Sequence, residues 1–469
     1  MSNNSIITSL AWIKKGWARS IPLEYESITE DKEMQKVAKV AKSLKDKGQL
    51  TGEETIKEET KMIEDNMQNI EATEDGTNIP MFSEDLKNYY TKDDEMTDDN
   101  LPREFDDISD EEQDDFTIHP TDSLIACTTA QDDFFNLEVY IYDESTSSLF
   151  VHHDINLTAG PLCIEWLPMK NNQKANYALL GSFQPEIEIW NLDILDVLEP
   201  EIVLGRAPKD SIVNTDLIHT DSVMSLALNP INVNTIASGG ADGKVLIWDL
   251  NALPYQAAEK FPIHTDKVQC VKWNKMEENV LATGSFDKTI KMTDTRAKQT
   301  MMTINLTSDI ECLDWSPLNK FTFLSSYEDG RIDLYDLRKV DSVVSFQGHK
   351  KEATSVSFSP QKENLFFSCG RDSRIKIWDS ANINEDKSCK IVLEKLVKKS
   401  TGELFCGKFA EDCDYTIAVG GSKGELYLWE LTESPIFCSQ FGLKFDDNVE
   451  MPDELNNLKK KKKMLHGKK

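Results

Sequence analysis

The sequence predicts an all-β fold, a seven-bladed β-propeller with a long acidic insertion inside its first blade. Seven times along the chain a hydrophobic run ends in an aromatic-plus-polar pair: Tyr142-Asp143, Trp190-Asn191, Trp248-Asp249, Thr293-Asp294 with its aromatic lost, Tyr335-Asp336, Trp378-Asp379 and Trp429-Glu430. The intervals are 48, 58, 45, 42, 43 and 51 residues, close to the roughly 40–45-residue period of a four-stranded repeat. Upstream of each pair a strand ends in a large apolar residue: Trp12, Trp166, Leu228, Trp273, Trp315, Phe358 and Phe409. Three residues before each of these stands a small one: Ser9, Cys163, Ser225, Cys270, Cys312, Ser355 and Cys406. A small residue at that offset suits an innermost strand, where neighbouring blades crowd the axis. A lone blade cannot bury both faces, so the units stack until the ring closes.

In chain order, the first small-to-large pair lies in Ile6-Ile7-Thr8-Ser9-Leu10-Ala11-Trp12, more than a hundred residues ahead of the rest of its blade. Residues 1–17 are therefore read as an N-terminal strand that closes the propeller, and 18–116 as an insertion. The strands completing the blade are expected at Ser123–Ala130, Leu137–Asp143 and Ser147–His152. Residues 117–442 supply the remainder of the propeller, with Pro435–Gly442 as the outer strand of the last blade. A polar tail, 443–469, ends in Lys459, Lys460, Lys461, Lys462 and Lys463 and a few further residues.

Inside the insertion, Val37, Val40, Ala41 and Leu44 fall on one helical stripe opposite lysines, which predicts a helix over 29–47 capped by Thr29 or Asp31. Beyond it, residues 71–116 hold 18 Asp/Glu against 3 Lys/Arg, half of the chain's formal net charge of −30. Such a run repels itself and buries too little apolar surface to fold alone, so it is expected to be largely disordered. Met81-Phe82, Leu86, Tyr89-Tyr90, Leu101, Phe105, Ile108 and Phe116 recur within the charge, the pattern of a segment that orders on a basic partner. Ser109 precedes Asp110-Glu111-Glu112, an acidic context that makes it a candidate phosphosite, where phosphate would add about −1.5 to −2 charges.

Composition excludes several classes. No stretch approaches the roughly 20 apolar residues of a membrane span, and the N-terminus lacks a signal pattern. An intracellular, soluble protein without membrane partners is expected. Nine cysteines lie scattered without a CxxC pair; they read as small buried hydrophobes kept reduced, and no metal or cofactor is expected. His152-His153 reads as a blade-edge feature, since no ligand-spaced cysteine or carboxylate accompanies it. Bulk charge does not imply nucleic-acid binding, although the lysine run suits RNA phosphates or a nuclear or nucleolar address signal.

His219, Ser238, Asp242 and Trp248 form one polar set; His349, Ser368, Asp372 and Trp378 another; His264, Thr283 and Asp287 a third, with Thr293 where Trp is expected. Ser, His and Asp suggest acyl transfer, but a catalytic site would not repeat. The spacing resembles the hydrogen-bond chain of WD-repeat proteins, in which each buried polar group satisfies the next. Asp242, Asp287, Asp329 and Asp372 stand at tight turns between strands. The second and seventh blades offer Gln184 and Lys423 at that position, and are expected to be less rigid or paired differently.

Around the first two blades the resemblance sharpens. Ser9-Leu10-Ala11-Trp12, the acidic insertion, Phe116-Thr117-Ile118-His119-Pro120-Thr121-Asp122, Asn136-Leu137-Glu138-Val139-Tyr140-Ile141-Tyr142, Phe150-Val151-His152-His153-Asp154-Ile155 and Ile187-Glu188-Ile189-Trp190-Asn191-Leu192-Asp193-Ile194 resemble the periodic tryptophan protein 1 family, as does His264-Thr265-Asp266-Lys267-Val268-Gln269. The resemblance implies a non-enzymatic assembly factor of the large (60S) ribosomal subunit, located in the nucleus and nucleolus. Its implied partners are proteins of the pre-60S particle and precursor ribosomal RNA. A second implied role is at ribosomal DNA chromatin, with histones as partners.

Overall fold

The computed structural model describes residues 5–24, 117–144, 146–170, 173–206, 214–252, 254–338, 344–383 and 389–443. The expected helix at 29–47, the acidic arm, Ser109 and Lys459–Lys463 lie outside them. Two units partition the chain, one of residues 1–22 with 118–469 and one of residues 23–117.

Seven antiparallel sheets form the first unit. Blade 1 comprises β1 (Ile6–Ile13), β2 (Ser123–Gln131), β3 (Phe134–Asp143) and β4 (Ser148–Leu157), from the axis outward. Blade 2 follows with β5 (Pro161–Lys170), β6 (Gln173–Ser182), β7 (Ile187–Asn191) and β8 (Ile202–Leu204). Blade 3 has β9 (Val223–Leu228), β10 (Thr235–Gly240), β11 (Val245–Asp249) and β12 (Glu259–Phe261), and blade 4 has β13 (Val268–Trp273), β14 (Val280–Ser285), β15 (Thr289–Asp294) and β16 (Gln299–Asn305). Blade 5 is β17 (Ile310–Trp315), β18 (Thr322–Tyr327), β19 (Arg331–Asp336) and β20 (Val344–Gln347), and blade 6 is β21 (Ser355–Phe358), β22 (Leu365–Cys369), β23 (Arg374–Ile383) and β24 (Cys389–Leu396). Blade 7 has three strands among the described residues, β25 (Leu404–Phe409), β26 (Thr416–Gly421) and β27 (Tyr427–Glu430), followed by helix α1 (Pro435–Phe441).

The second strand of each blade is buried on both faces, as in Ile236–Gly240 or Leu365–Cys369, because each blade is sandwiched between two others. Ring closure runs through β1. It pairs with β2 in the register Ile7 with Thr129, Leu10 with Cys127 and Ile13 with Leu124, although some 120 residues separate them. The two roots of the insertion meet, since Ile118 N donates to Ser20 O at 2.8 Å.

The last element differs from expectation. Pro435–Phe441 is a helix, not an outer strand. Local chemistry explains the difference: Pro435 sits in the first turn, Ser434 caps it by accepting from Phe437 N, and Gly442 ends it at φ +70°. Phe437 is buried against the blade 6 and 7 core, so the period of the apolar residues is helical. The outer strand of blade 1 also runs to Leu157, five residues past the expected His152.

Candidate functional site

The three Ser/Thr–His–Asp sets assemble within blades 3, 4 and 6. His219 lies between Asp242, with Nδ1 to Oδ1 at 3.1 Å, and Ser238, with Nε2 to Oγ at 2.7 Å. Trp248 Nε1 donates to the same Ser238 Oγ at 2.9 Å. Blade 6 repeats this at 2.9 Å (His349 to Asp372), 2.7 Å (His349 to Ser368) and 2.8 Å (Trp378 to Ser368). In blade 4 His264 meets Asp287 at 2.9 Å and Thr283 at 2.8 Å, while Thr293, in the tryptophan position, is buried with no partner for its hydroxyl among the described residues. One polarity satisfies the chains of blades 3 and 6: indole N–H to hydroxyl, hydroxyl to imidazole, imidazole N–H to carboxylate, and blade 4 shares its last two steps.

Burial pushes Asp242 up, but hydrogen bonds from His219 and from the backbone N–H groups of Thr220 and Lys244 outweigh it and hold its pKa at about 2. Asp372 is held low by the same arrangement of histidine and backbone donors, and Asp287 by the Thr289 hydroxyl first, then His264 and the Thr265 N–H. The hydroxyls of Ser238, Thr283 and Ser368 sit in wholly buried residues, so they present no nucleophile to a substrate. These sets bind strand to turn.

Other blades solve the same problem with different groups. In blade 5 Ser325 donates to Tyr327 at 2.7 Å, Tyr327 and Tyr335 hydroxyls meet at 3.1 Å, and Tyr335 donates to Asp333 at 3.1 Å. In blade 2 Trp190 Nε1 donates to Glu188 at 3.0 Å, and the Gln184 backbone caps on Ser182. In blade 7 the Trp429 ring lies under Lys395 of blade 6 at 5.0 Å, and Lys423 donates to Lys399 O at 2.5 Å.

The small-residue column links neighbouring blades. Ser9 Oγ accepts from Ile164 N at 3.2 Å, Ser225 Oγ from Val271 N at 3.1 Å, and Ser355 Oγ donates to Gly407 O at 2.9 Å. In six blades a β-bulge immediately precedes this column, between Ile7 and Ser9, Pro161 and Cys163, Val223 and Ser225, Val268 and Cys270, Ile310 and Cys312, and Leu404 and Cys406. A bulge bends the strand and re-aims its side chains. Trp166 of the large-residue column donates within its own blade, to Asn176 Oδ1 at 3.0 Å, but the other three tryptophans reach backwards: Trp273 Nε1 donates to Ala227 O, Trp315 to Lys272 O and Trp12 to Lys408 O, at 3.1, 3.2 and 3.2 Å. The last of these spans the seam between blades 7 and 1.

One residue ahead of the small column, each blade contributes a side chain to the mouth of the central channel: Thr8, Leu162, Met224, Gln269, Glu311, Thr354 and Phe405. They line a cavity of about 480 Å³ at the end of the ring that carries the His–Asp turns. Glu328, Glu352 and Arg371 close its rim. Arg371 bonds to Glu352 at 2.6 Å and approaches Glu403 at 3.4 Å. Burial first, then the charges of Glu352 and Glu328, push Glu311 up to about 7. Sequence reasoning did not single out this ring, although its constant offset from the small column was visible.

His152 and His153 lie on the outer strand of blade 1 with Nδ1 atoms 2.7 Å apart; burial and the neighbouring ring lower His153 to about 4. All nine cysteines are free, and burial pushes Cys163 and Cys406 up to about 12. Among the described residues no three His, Cys, Asp or Glu side chains are grouped to hold a metal ion, and no helix is long and apolar enough to cross a membrane.

Fold and polar chains together define the class, a WD-repeat β-propeller. Residues 212–249, 256–294 and 341–379 match the family model described as WD domain, G-beta repeat. An uncharacterised WD repeat-containing protein of Schizosaccharomyces pombe is 32% identical over 499 residues, covering 97% of this chain and 94% of that protein. Periodic tryptophan protein 1 of Saccharomyces cerevisiae is 25% identical, covering 78% of this chain and 69% of its own length. Its homolog in Drosophila melanogaster is 26% identical, covering 68% and 69%. The chain belongs to the periodic tryptophan protein 1 family.

Proposed function

We propose that this protein is a non-catalytic scaffold acting as a nucleolar assembly factor in large-subunit (60S) biogenesis and ribosomal RNA processing. The observation that carries the reading is the match to periodic tryptophan protein 1 proteins across most of the chain. The sealed Ser–His–Asp chains support a scaffold, because their reactive groups are spent on rigidity. Pre-60S proteins and precursor ribosomal RNA are the proposed partners. In this reading the lysine run Lys459–Lys463 addresses the protein to the nucleolus or contacts RNA phosphates, and phosphate on Ser109 tunes the arm's affinity for a basic partner.

Depletion followed by pulse labelling of ribosomal RNA tests it. Precursor synthesis should hold while maturation stalls, with free large subunits falling relative to small ones. If synthesis falls first and the precursor made is processed normally, the protein acts on ribosomal DNA chromatin, and histones replace pre-60S proteins as its partners.

A further inference from the structure

We infer that the outer edge of blade 7 is a docking slot for an extended segment of a partner protein, which adds a fourth strand beside β27 and brings a carboxylate to Lys395. The inference rests on the scaffold reading and states how one partner is held.

Six blades end in an outer strand, β4, β8, β12, β16, β20 and β24, whereas β27 pairs with β26 alone among the described residues. The course of the chain explains the difference. Leu431–Glu433 turn away as a short 3-10 helix, and α1 then crosses to blade 6, where Gln440 Nε2 donates to Asp379 Oδ2 at 3.4 Å. The chain is carried off the edge instead of doubling back along it. Burial records the effect: in blades 2 and 3 four successive third-strand residues, Ile187–Trp190 and Val245–Trp248, are buried. In blade 7 Trp429 is buried, but Tyr427, Leu428 and Glu430 are half-buried. An edge strand presents a row of N–H and C=O groups that a further extended chain satisfies.

The walls of the slot define what that chain carries. On the blade 6 side Lys395 extends over the Tyr427 and Trp429 rings at 5.1 and 5.0 Å. Glu433 feels its charge, but Lys395 forms no ion pair among the described residues, and Glu430 is engaged by the Tyr142 hydroxyl. On the blade 1 side Tyr140 and Leu428 pack on one core with Ile7 and Leu10. Val151, directly opposite Tyr140 in the β3–β4 register, is 47% exposed. Successive side chains of an added strand point to opposite walls, so apolar residues on one face cover Leu428 and Val151. The other face sets a carboxylate against Lys395, a charge pair that also holds the register. Because the edge is recessed between the outer strands β24 and β4, a single strand reaches it and a second propeller does not.

The test is hydrogen–deuterium exchange of the full-length protein, read by mass spectrometry over Tyr427–Glu430, with a short probe peptide that alternates valine with threonine and carries one central glutamate among the threonines. Without peptide these amides should exchange faster than those of Val245–Asp249 in blade 3, and the peptide should slow them. Two versions of the peptide, N-methylated on one or the other alternate set of amides, should differ: one loses binding and the other keeps it, since only one edge of the added strand faces β27. Lys395→Glu should weaken the glutamate peptide roughly tenfold and favour a lysine version instead. The N-methylated pair is read on the wild-type protein, so the test stands even where Lys395→Glu lowers the melting temperature. Exchange already as slow as in blade 3 without peptide would mean that the chain covers its own edge, and overturns the inference. Equal binding of both N-methylated peptides, or an unchanged charge preference in a folded Lys395→Glu variant, overturns it as well. Purified protein and a synthetic strand are used, so failure here leaves the ribosomal role to be decided by pulse labelling.

Discussion

At the scale of single residues, Asp372 illustrates how much a turn aspartate does. It accepts from His349, from Lys350 N at 3.1 Å and from Arg374 N at 3.2 Å. Asp372→Ala leaves a buried imidazole N–H and two backbone N–H groups without their acceptor, so a loss of roughly 1–3 kcal/mol is expected in denaturant titration. Titration behaviour separates two kinds of carboxylate. Asp242 is depressed from its ordinary 3.8 to about 2, so the stability it contributes is present above pH 3.8 and lost as pH falls through about 2. Glu311 is raised from 4.5 to about 7 while facing Glu352, Glu328, Asp309 and Arg371. Its contribution is present below pH 4.5 and lost as pH rises through about 7. Glu311→Gln should therefore remove a decline in melting temperature between pH 4.5 and 7 and leave the acid limb unchanged, as thermal scans across pH would read.

Among elements, β1 carries more than its eight residues suggest. It supplies the innermost strand of blade 1, buries Ile7 and Leu10, and places Ile7 so close to Gly420 that a Cβ there would lie 2.4 Å away. Deleting residues 1–13 would bare the buried edge of β2, including Ile125 and Cys127. Loss of the cooperative calorimetric transition is expected, whereas Trp12→Phe, which removes the bond to Lys408 O and part of the ring packed on the blade 1 core, should cost about 1–3 kcal/mol. The aromatic-plus-polar pairs made the blades legible because each ends a strand whose neighbours are apolar. Blade 5 was less legible in detail: Tyr327 and Tyr335 replace imidazole and indole, and nothing in the spacing of Ser325 says which hydroxyl will fill the gap. Helix α1 stands where the sequence predicts a strand, since seven residues carry too few turns for their period to show, and Ser434 and Gly442 are caps only if the segment between them is helical.

For the molecule as a whole, the closeness of the insertion roots lets a short connection bridge them. With Ile118 N bonded to Ser20 O, replacing residues 25–116 by a short Gly/Ser linker costs little closure entropy. A strand-rich circular dichroism spectrum and a single thermal transition are expected from that variant, and their loss would mean that the insertion is part of the core. The seven-fold count, the inner-strand column, the split first blade and the polar chains of blades 3, 4 and 6 were all determined by sequence alone, because repetition turns a weak local pattern into a strong one. What only the tertiary structure decided lies between blades: that Trp12, Trp273 and Trp315 bond backwards, that bulges aim the small column forwards, and that Glu311 and Gln269 share a wall with Phe405 at the channel mouth. Those relations depend on how one blade rotates against the next. A linear periodicity repeats the residues but does not contain the angle between the sheets they form.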